Sequence, residues 1–175
     1  MRVWRIALLL GAALCFAAPC PAKLVRLPLD ADGVAKLLQE HRGEVVALSF
    51  FATWCEPCRE EFPDILCLRK HFAGAPFYLA IVSVDDLDEW DEKVVPFLKK
   101  HGVDFPVYLK KEGDDEKFIN AVDPQWFGSL PAFFIFDGQG KLRQSFYEKQ
   151  EFETLRRAVQ KQLTRLSRNK KKGRK

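Results

Sequence analysis

The sequence is poor in the residues that form metal sites, and it has no apolar run long enough to span a membrane comfortably. It contains one methionine, Met1, and its three histidines fall on separate predicted helices. Of its five cysteines only Cys55 and Cys58 are closely spaced, so the second Cys-x-x-Cys of a four-thiolate zinc site is missing. No repeat or low-complexity linker precedes the C-terminal tail. We therefore predict one domain without a metal or a cofactor.

Residues 1–22 have the pattern of a secretory signal. Arg2 and Arg5 precede an apolar stretch at residues 6–18, and small residues stand before a cleavage position at Lys23. This stretch is shorter than the about 20 residues that span a bilayer comfortably. We predict a cleaved signal peptide and an exported protein. Two alternatives are an uncleaved anchor and lipidation of Cys20, although Pro19 occupies a position where lipidation favours a small residue.

The positive charge is concentrated at the C-terminus. Residues 165–175 contain seven cations and no acid, whereas residues 23–164 carry a net charge of −5. We predict a globular domain over residues 23–164 and a disordered, solubilising tail over residues 165–175. The alternative for the tail is attraction to an anionic membrane surface or partner. We predict no nucleic-acid partner.

A buried strand leads directly into the cysteine pair. Residues 45–51 form a nearly continuous apolar run, which is typical of a central strand covered on both faces. Apolar residues then recur at helical spacing, at Phe62, Ile65, Leu66, Leu68 and Phe72. Cys55 and Cys58 therefore lie at a strand-to-helix turn. Residues three apart on a helix have Cβ atoms about 5–6 Å apart, which allows a disulfide to close and reopen.

The two cysteines are expected to play different roles. Cys55 opens the helix, where free N–H groups and the macrodipole lower a thiol pKa from about 8.5 towards about 3.5–7.5. This makes Cys55 the nucleophile, and Cys58, one turn inside the helix, the resolving thiol. Pro57 fits the first helical turn, and Trp54 offers an apolar surface to a partner. A structural staple is less favoured because so small a ring stabilises by only about 2 kcal/mol.

Two separated segments resemble one known family. Residues 51–58, Phe-Ala-Thr-Trp-Cys-Glu-Pro-Cys, with the Glu-Phe-Pro at residues 61–63, resemble the active-site segment of TlpA/ResA-like proteins in the thioredoxin superfamily. Residues 130–141 resemble the cis-proline loop, the following strand and the hairpin turn of the same family. The resemblance covers roughly residues 24–165. It implies an α/β thioredoxin fold, in which helices flank a central mixed β-sheet on both faces.

The resemblance also implies functional roles. Leu130 offers its backbone to an incoming peptide, cis Pro131 packs beside the cysteines, and Glu56 with Pro57 tunes the redox couple. The family activity is reduction of disulfides in selected exported proteins, with apocytochrome c as one substrate and a membrane-bound thiol as electron donor. The expected location is the bacterial periplasm or the extracytoplasmic face of the membrane. One departure is Ser49, since thioredoxin itself has a buried acid there.

Two alternative functions share this fold. A copper(I)-binding metallochaperone would use the paired thiolates, but such relatives usually add a His or Met ligand and the only methionine is Met1. A thiol peroxidase would need a peroxidatic cysteine in a different sequence setting.

Three further features have structural and functional interpretations. Cys67 is predicted to be a buried, inert thiol, with a resolving or intermolecular role as the alternative. Asp85 and Asp86 are predicted to cap the next helix, although acids at the end of a parallel strand can also approach the cysteines. Trp126 and Phe127 either cover a partner or pack against the core.

Overall fold

The computed structural model describes residues 24–172, so the predicted signal at residues 1–22 lies outside the described part. Six strands form the sheet: β1 (Arg26–Leu29), β2 (Val45–Phe51), β3 (Phe77–Ser83), β4 (Val107–Lys110), β5 (Ala132–Phe136) and β6 (Leu142–Phe146). The helices are α1 (Ala31–Glu40), α2 (Glu56–His71), α3 (Val95–Lys100), α4 (Asp115–Val122) and α5 (Phe152–Lys172). A π-helical segment, Trp90–Val94, leads into α3.

The sheet is mixed, with the strand order β1-β4-β3-β2-β5-β6. Strands β1 to β4 run parallel to one another, and β5 and β6 run antiparallel to their neighbours. The proline-containing strand β1 occupies an edge, as expected for a strand that lacks one N–H donor. The α/β architecture predicted from the sequence is confirmed.

Helices cover both faces of the sheet. Helices α1 and α4 pack on the face that includes Val46, Leu48 and Phe50, and α2, α3 and α5 pack on the face that includes Val45 and Phe51. All seven residues of β2 are buried, because β2 lies in the middle of the sheet and is covered on both sides.

Helix α5 extends further than the sequence predicted. It continues to Lys172, so the predicted disordered tail is wrong for residues 165–172, and residues 173–175 lie outside the described part. The apolar stripe of the helix continues through Leu163 and Leu166, which pack against the core. Leu166 reaches Gly138 so closely that an added Cβ there would lie 2.7 Å from Leu166 Cδ1. Within residues 24–172, no helix combines the length and apolarity needed to cross a bilayer.

Candidate active site

The cysteine pair lies where the sequence predicted it, between β2 and α2. Cys55 is the N-cap residue of α2, and Cys55 and Cys58 are joined by a disulfide with a Cα–Cα distance of 5.3 Å. The N–H of Cys58 donates a hydrogen bond to Cys55 Sγ over 3.3 Å. The sulfur of Cys55 thus receives one of the free N–H groups of the first helical turn, an arrangement that favours negative charge on it.

The surroundings of the disulfide differ on its two sides. Cys55 is 6% exposed and Cys58 2%, so Cys55 is the more accessible of the two. Trp54 beside it is 63% exposed, while Glu56 and Pro57 are exposed in the first turn of α2. Cys55 is therefore the sulfur nearer the surface, beside an exposed indole ring.

Asp85 is bonded directly to the turn that precedes Cys55. Its buried carboxylate accepts hydrogen bonds from the backbone N–H of Thr53 at 3.0 and 3.1 Å, and from the Thr53 hydroxyl. The hydroxyl of Ser83 donates to the same carboxylate at 2.7 Å. The prediction that Asp85 caps the next helix is wrong, because the next helical segment begins at Trp90 without a side-chain cap. The alternative was that this acid approaches the cysteines; the structure bonds it to Thr53, two residues before Cys55.

Sequence reasoning missed Glu61 as a site residue. Glu61 is 3% exposed and lies three residues after Cys58, on the same side of α2. Burial raises the pKa of Glu61 to about 7, although the N–H of Gln150 donates to its Oε1 at 2.8 Å and partly offsets this effect. Its place in the buried stripe of α2, between Cys58 and Ile65, was the available signal. Ser49 is buried, but it is not an acid as the corresponding residue of thioredoxin is. The buried acids near the cysteine pair are instead Asp85 and Glu61.

The segment at residues 130–141 meets the cysteine segment at the C-terminal end of β2. Ala132 pairs with Phe50 of β2, which brings the preceding residues beside the end of that strand. The Leu130–Pro131 peptide bond is cis, as the family resemblance implied.

Two neighbouring aromatic residues in the loop before Pro131 have opposite environments. Trp126 is 3% exposed, packs on Phe50 and Phe134, and donates from Nε1 to the carbonyl of Ser129 at 2.9 Å. Phe127 is 92% exposed. Trp126 therefore belongs to the core, whereas Phe127 presents its ring to solvent.

The same loop is held to the end of β6 by a third buried acid, Asp123. Asp123 accepts hydrogen bonds from the hydroxyl of Ser145 at 2.6 Å and from that of Tyr147 at 2.8 Å. These contacts hold the start of the loop while Trp126 holds its middle.

Cys67 was predicted to be buried, and this prediction is wrong. Cys67 is a free and exposed cysteine, because Leu68 takes the inward position on α2 and the preceding side chain is rotated by about 100° around the helix. Within residues 24–172, no three His, Cys, Asp or Glu side chains are grouped closely enough to hold a metal ion.

Comparison with known proteins places the chain in a family. The AhpC/TSA family profile matches residues 17–145. The thiol-disulfide oxidoreductase ResA of Bacillus subtilis is 34% identical over 113 residues, which cover 65% of this chain and 58% of that protein. ResA of Bacillus thuringiensis subsp. konkukian is 30% identical over 132 residues, covering 75% of this chain and 71% of that protein.

A solved structure supports the fold. The thioredoxin-family thiol:disulfide interchange protein of Chlorobium tepidum superposes with a TM-score of 0.60 at 24% identity, covering 84% of this chain and 99% of that one. The chain spans only 58% of the Bacillus subtilis ResA that it matches. The chain resembles the thiol-disulfide oxidoreductases named ResA, and it belongs to the AhpC/TSA family of thioredoxin-like proteins.

Proposed function

We propose that this protein is an extracytoplasmic thiol-disulfide oxidoreductase that reduces disulfides in selected exported proteins. The observation that carries the proposal is the position of Cys55, whose sulfur caps α2 and accepts the N–H of Cys58 at 3.3 Å. A reduced Cys55 in this position is stabilised as a thiolate, which is the reactive form in disulfide exchange.

The reaction proceeds in two exchanges. The thiolate of Cys55 attacks one sulfur of the client disulfide, forms a mixed disulfide and releases the other client sulfur as a thiolate. The thiolate of Cys58 then attacks Cys55 Sγ, forms the Cys55–Cys58 bond and releases the second client sulfur. Two electrons pass to the client, and both of its sulfurs leave as thiols after protonation. The protein ends in the disulfide-bonded form that the structure contains.

Glu61 is placed to assist the second exchange. Cys58 must lose its proton before it attacks, and a carboxylate three residues further along α2 lies within about one helical turn of it. A pKa of about 7 lets Glu61 accept a proton and release it near neutral pH. Glu61 therefore acts as the proton acceptor for the resolving thiol in this proposal.

The exposed surface around Cys55 supports docking of an extended client segment. Trp54 and Phe127 provide exposed aromatic rings, and the backbone of Leu130 lies beside the end of β2. Apolar contacts to the rings and hydrogen bonds to the Leu130 backbone would hold a peptide next to Cys55.

The proposed location, electron donor and client are supported by the sequence and by the relatives. The signal pattern at residues 1–22 supports a site of action outside the cytoplasm, in a periplasm or on the extracytoplasmic face of the membrane. There the oxidised pair needs a membrane-bound thiol donor for its return to the dithiol. Apocytochrome c is one client that this proposal includes.

A trapping experiment tests the proposal. The Cys58→Ala variant is expected to accumulate a mixed disulfide between Cys55 and its client, which mass spectrometry identifies. Cys55→Ser should trap nothing, and Cys67→Ser should turn over a model disulfide at the rate of the unchanged protein. Failure of Cys58→Ala to form any mixed disulfide with an exported protein would contradict the proposed function.

The direction of electron flow has its own measurement. Equilibration of the protein with glutathione buffers gives the reduction potential of the Cys55–Cys58 couple. A reductase requires a potential well below that of the oxidant DsbA, which is about −120 mV. A value near −120 mV would reverse the assigned direction.

Two assays separate the alternative functions. Stoichiometric copper(I) binding by the reduced protein, without turnover of disulfides, would favour a metallochaperone. Consumption of hydrogen peroxide that depends on Cys55 would favour a peroxidase. We expect neither result.

A further inference from the structure

The two ends of the sheet carry opposite charge. Strands β2 and β3 end at the cysteine turn, and the exposed side chains there include Glu56, Asp86 and Asp88. We call this end the disulfide pole. Helix α5 begins beside the middle of α2, where the N–H of Phe152 donates to Asp64 at 3.1 Å.

From there helix α5 runs to the end of the molecule opposite the disulfide pole. Its residue Leu166 packs at Gly138, in the turn between β5 and β6, and Gly138 in turn accepts a hydrogen bond from the N–H of Gly43 just before β2. The last two turns of α5 therefore lie where β2 begins. Seven residues of strand separate this end from the disulfide pole by about 20 Å.

The end reached by α5 is strongly basic. From residue 154 onward the sequence contains ten cations and no acid. We define the basic pole by the exposed cations of this half of α5 and by Lys70 at the end of α2: Lys161, Arg165, Arg168, Lys170, Lys171 and Lys70. Among the described residues, none of these six forms an ion pair within 4.0 Å, whereas Arg156 and Arg157 both pair with Glu153.

The basic pole also contains a cleft that could bind an anionic group. A cleft between α5 and the β5–β6 turn is lined by Arg143, Arg165, Arg168 and Lys171. Asp137 also lines it, but its carboxylate is bonded to Arg143 and to the backbone N–H groups of Gln139 and Lys141. The cations of α5 that line the cleft are left without a carboxylate partner in the described part of the chain.

We propose that the basic pole binds the surface of an anionic phospholipid membrane and thereby turns the Cys55–Cys58 disulfide away from the bilayer. Each cation near such a surface strengthens binding by about fivefold, and the effect falls off within a Debye length of about 8–10 Å. The acids of the disulfide pole lie about 20 Å away, beyond a Debye length. At the basic end of the sheet, Glu40 pairs with Lys36 and Glu44 with His41.

The entry point of the chain favours a membrane over other polyanions. Strand β1 is parallel to β4, which is parallel to β3, so Leu24 just before β1 lies at the same end of the sheet as the basic pole. The chain that precedes Leu24, with its apolar stretch at residues 6–18, therefore joins the domain at this end. While this stretch is still attached, it and the basic surface form a two-part membrane signal on one side of the protein; after cleavage the basic pole acts alone.

A nucleic acid fits the basic pole less well. Proteins that bind single strands interleave their cations with aromatic rings on which the bases stack. Residues 153–172 of α5 contain no aromatic residue. The surface thus offers charge alone, which suits a field of lipid headgroups.

Vesicle binding by the full chain tests the proposal. The partition coefficient is measured on phosphatidylcholine vesicles with and without phosphatidylglycerol. Residues 6–18 contribute to binding on both kinds of vesicle. The ratio of the two partition coefficients therefore reports the contribution of charge. Replacing Lys161, Arg165, Arg168 and Lys171 by Gln should lower that ratio at least about tenfold, and about 1 M salt should abolish the preference of the unchanged protein.

A matched control removes the same charge from the other half of the molecule. Replacing Lys93, Lys111, Lys117 and Lys149 by Gln leaves the basic pole intact and should change the ratio by less than about twofold. If the α5 variant is unstable by thermal unfolding, the pair Arg165→Gln and Arg168→Gln provides a smaller perturbation. Equal losses in the α5 and control variants would overturn the proposal, as would no preference for phosphatidylglycerol.

Orientation is measured by energy transfer to a labelled lipid headgroup. In chains with a single remaining cysteine, a dye at Asn169→Cys should be quenched strongly on anionic vesicles and a dye at Cys55 weakly. Equal quenching would contradict the orientation, and tighter binding to an oligonucleotide than to the vesicles would replace the lipid by a nucleic acid. Disulfide turnover, measured without vesicles, remains a separate test of the proposed function.

Discussion

Thr53 and Asp85 are 32 residues apart in the sequence, yet the backbone N–H and the hydroxyl of Thr53 both donate to the buried carboxylate of Asp85. The contact joins the end of β3 to the turn that carries Trp54 and Cys55. Because hydrogen bonds to a charged group stabilise by about 1.5–3 kcal/mol, this contact fixes the turn at the entrance to the site.

We expect Asp85→Asn to lower the free energy of unfolding of the oxidised protein by about 2 kcal/mol, because the amide replaces a charged acceptor and can accept with only one oxygen. The turn before Cys55 should also loosen, and kcat/KM for a disulfide substrate should fall. Urea unfolding and steady-state assays measure the two effects. Asp86→Asn is the matched control, since Asp86 is exposed, and its unfolding free energy should stay within about 0.5 kcal/mol of the unchanged protein.

The raised pKa of Glu61 makes stability depend on pH. Between the ordinary pKa of 4.5 and the folded value of about 7, the unfolded carboxyl is ionised while the folded one keeps its proton. Raising the pH through this window therefore favours the unfolded chain, and the unfolding free energy should fall by up to about 3 kcal/mol and then level off. Urea unfolding at pH values on both sides of the window measures this loss.

Glu61→Gln should remove most of that pH dependence, because the amide oxygen can still accept the N–H of Gln150 and carries no titrating proton. Glu60→Gln should keep it, since Glu60 is exposed and paired with Lys149. A flat stability profile for the unchanged protein would show that Glu61 ionises normally.

Trp126 and Phe127 are adjacent but should respond differently to truncation. Trp126→Ala removes a buried ring and should cost about 3–5 kcal/mol of stability. Phe127→Ala removes an exposed ring and should change stability by less than about 0.5 kcal/mol, while raising KM for a protein client. Thermal unfolding and client kinetics separate the two effects, and an unchanged KM for Phe127→Ala would remove Phe127 from the docking surface.

Cys67 should be the reactive thiol of the described domain in its oxidised form. It is exposed, whereas Cys55 and Cys58 are joined to each other. Iodoacetamide without a reductant should modify Cys67 among these three, as peptide mapping would reveal. Modification of Cys67 should leave the turnover of a small disulfide unchanged, because Cys67 lies on the side of α2 opposite to Cys58. Resistance of Cys67 to alkylation would contradict its exposure.

Local patterns were sufficient to locate the elements that carry the disulfide. An apolar run predicted β2, the spacing from Phe62 to Phe72 predicted α2, and both are present. These predictions succeed because strand and helix periodicities, and the capping position of Cys55, depend on neighbouring residues. The cis bond before Pro131 followed from the family resemblance carried by its motif.

The contacts around the disulfide required the tertiary structure. Asp85 reaches Thr53 from another strand, and Glu61 is buried where the chain around Gln150, 89 residues further on, covers it. Packing also placed Leu68 inward and left Cys67 exposed. Two adjacent acids, or two adjacent residues of a helix, look equivalent in a sequence. Contacts between distant segments decide which of the two is buried. Sequence thus determined where the redox pair stands, and long-range packing determined the polar and charged groups that surround it.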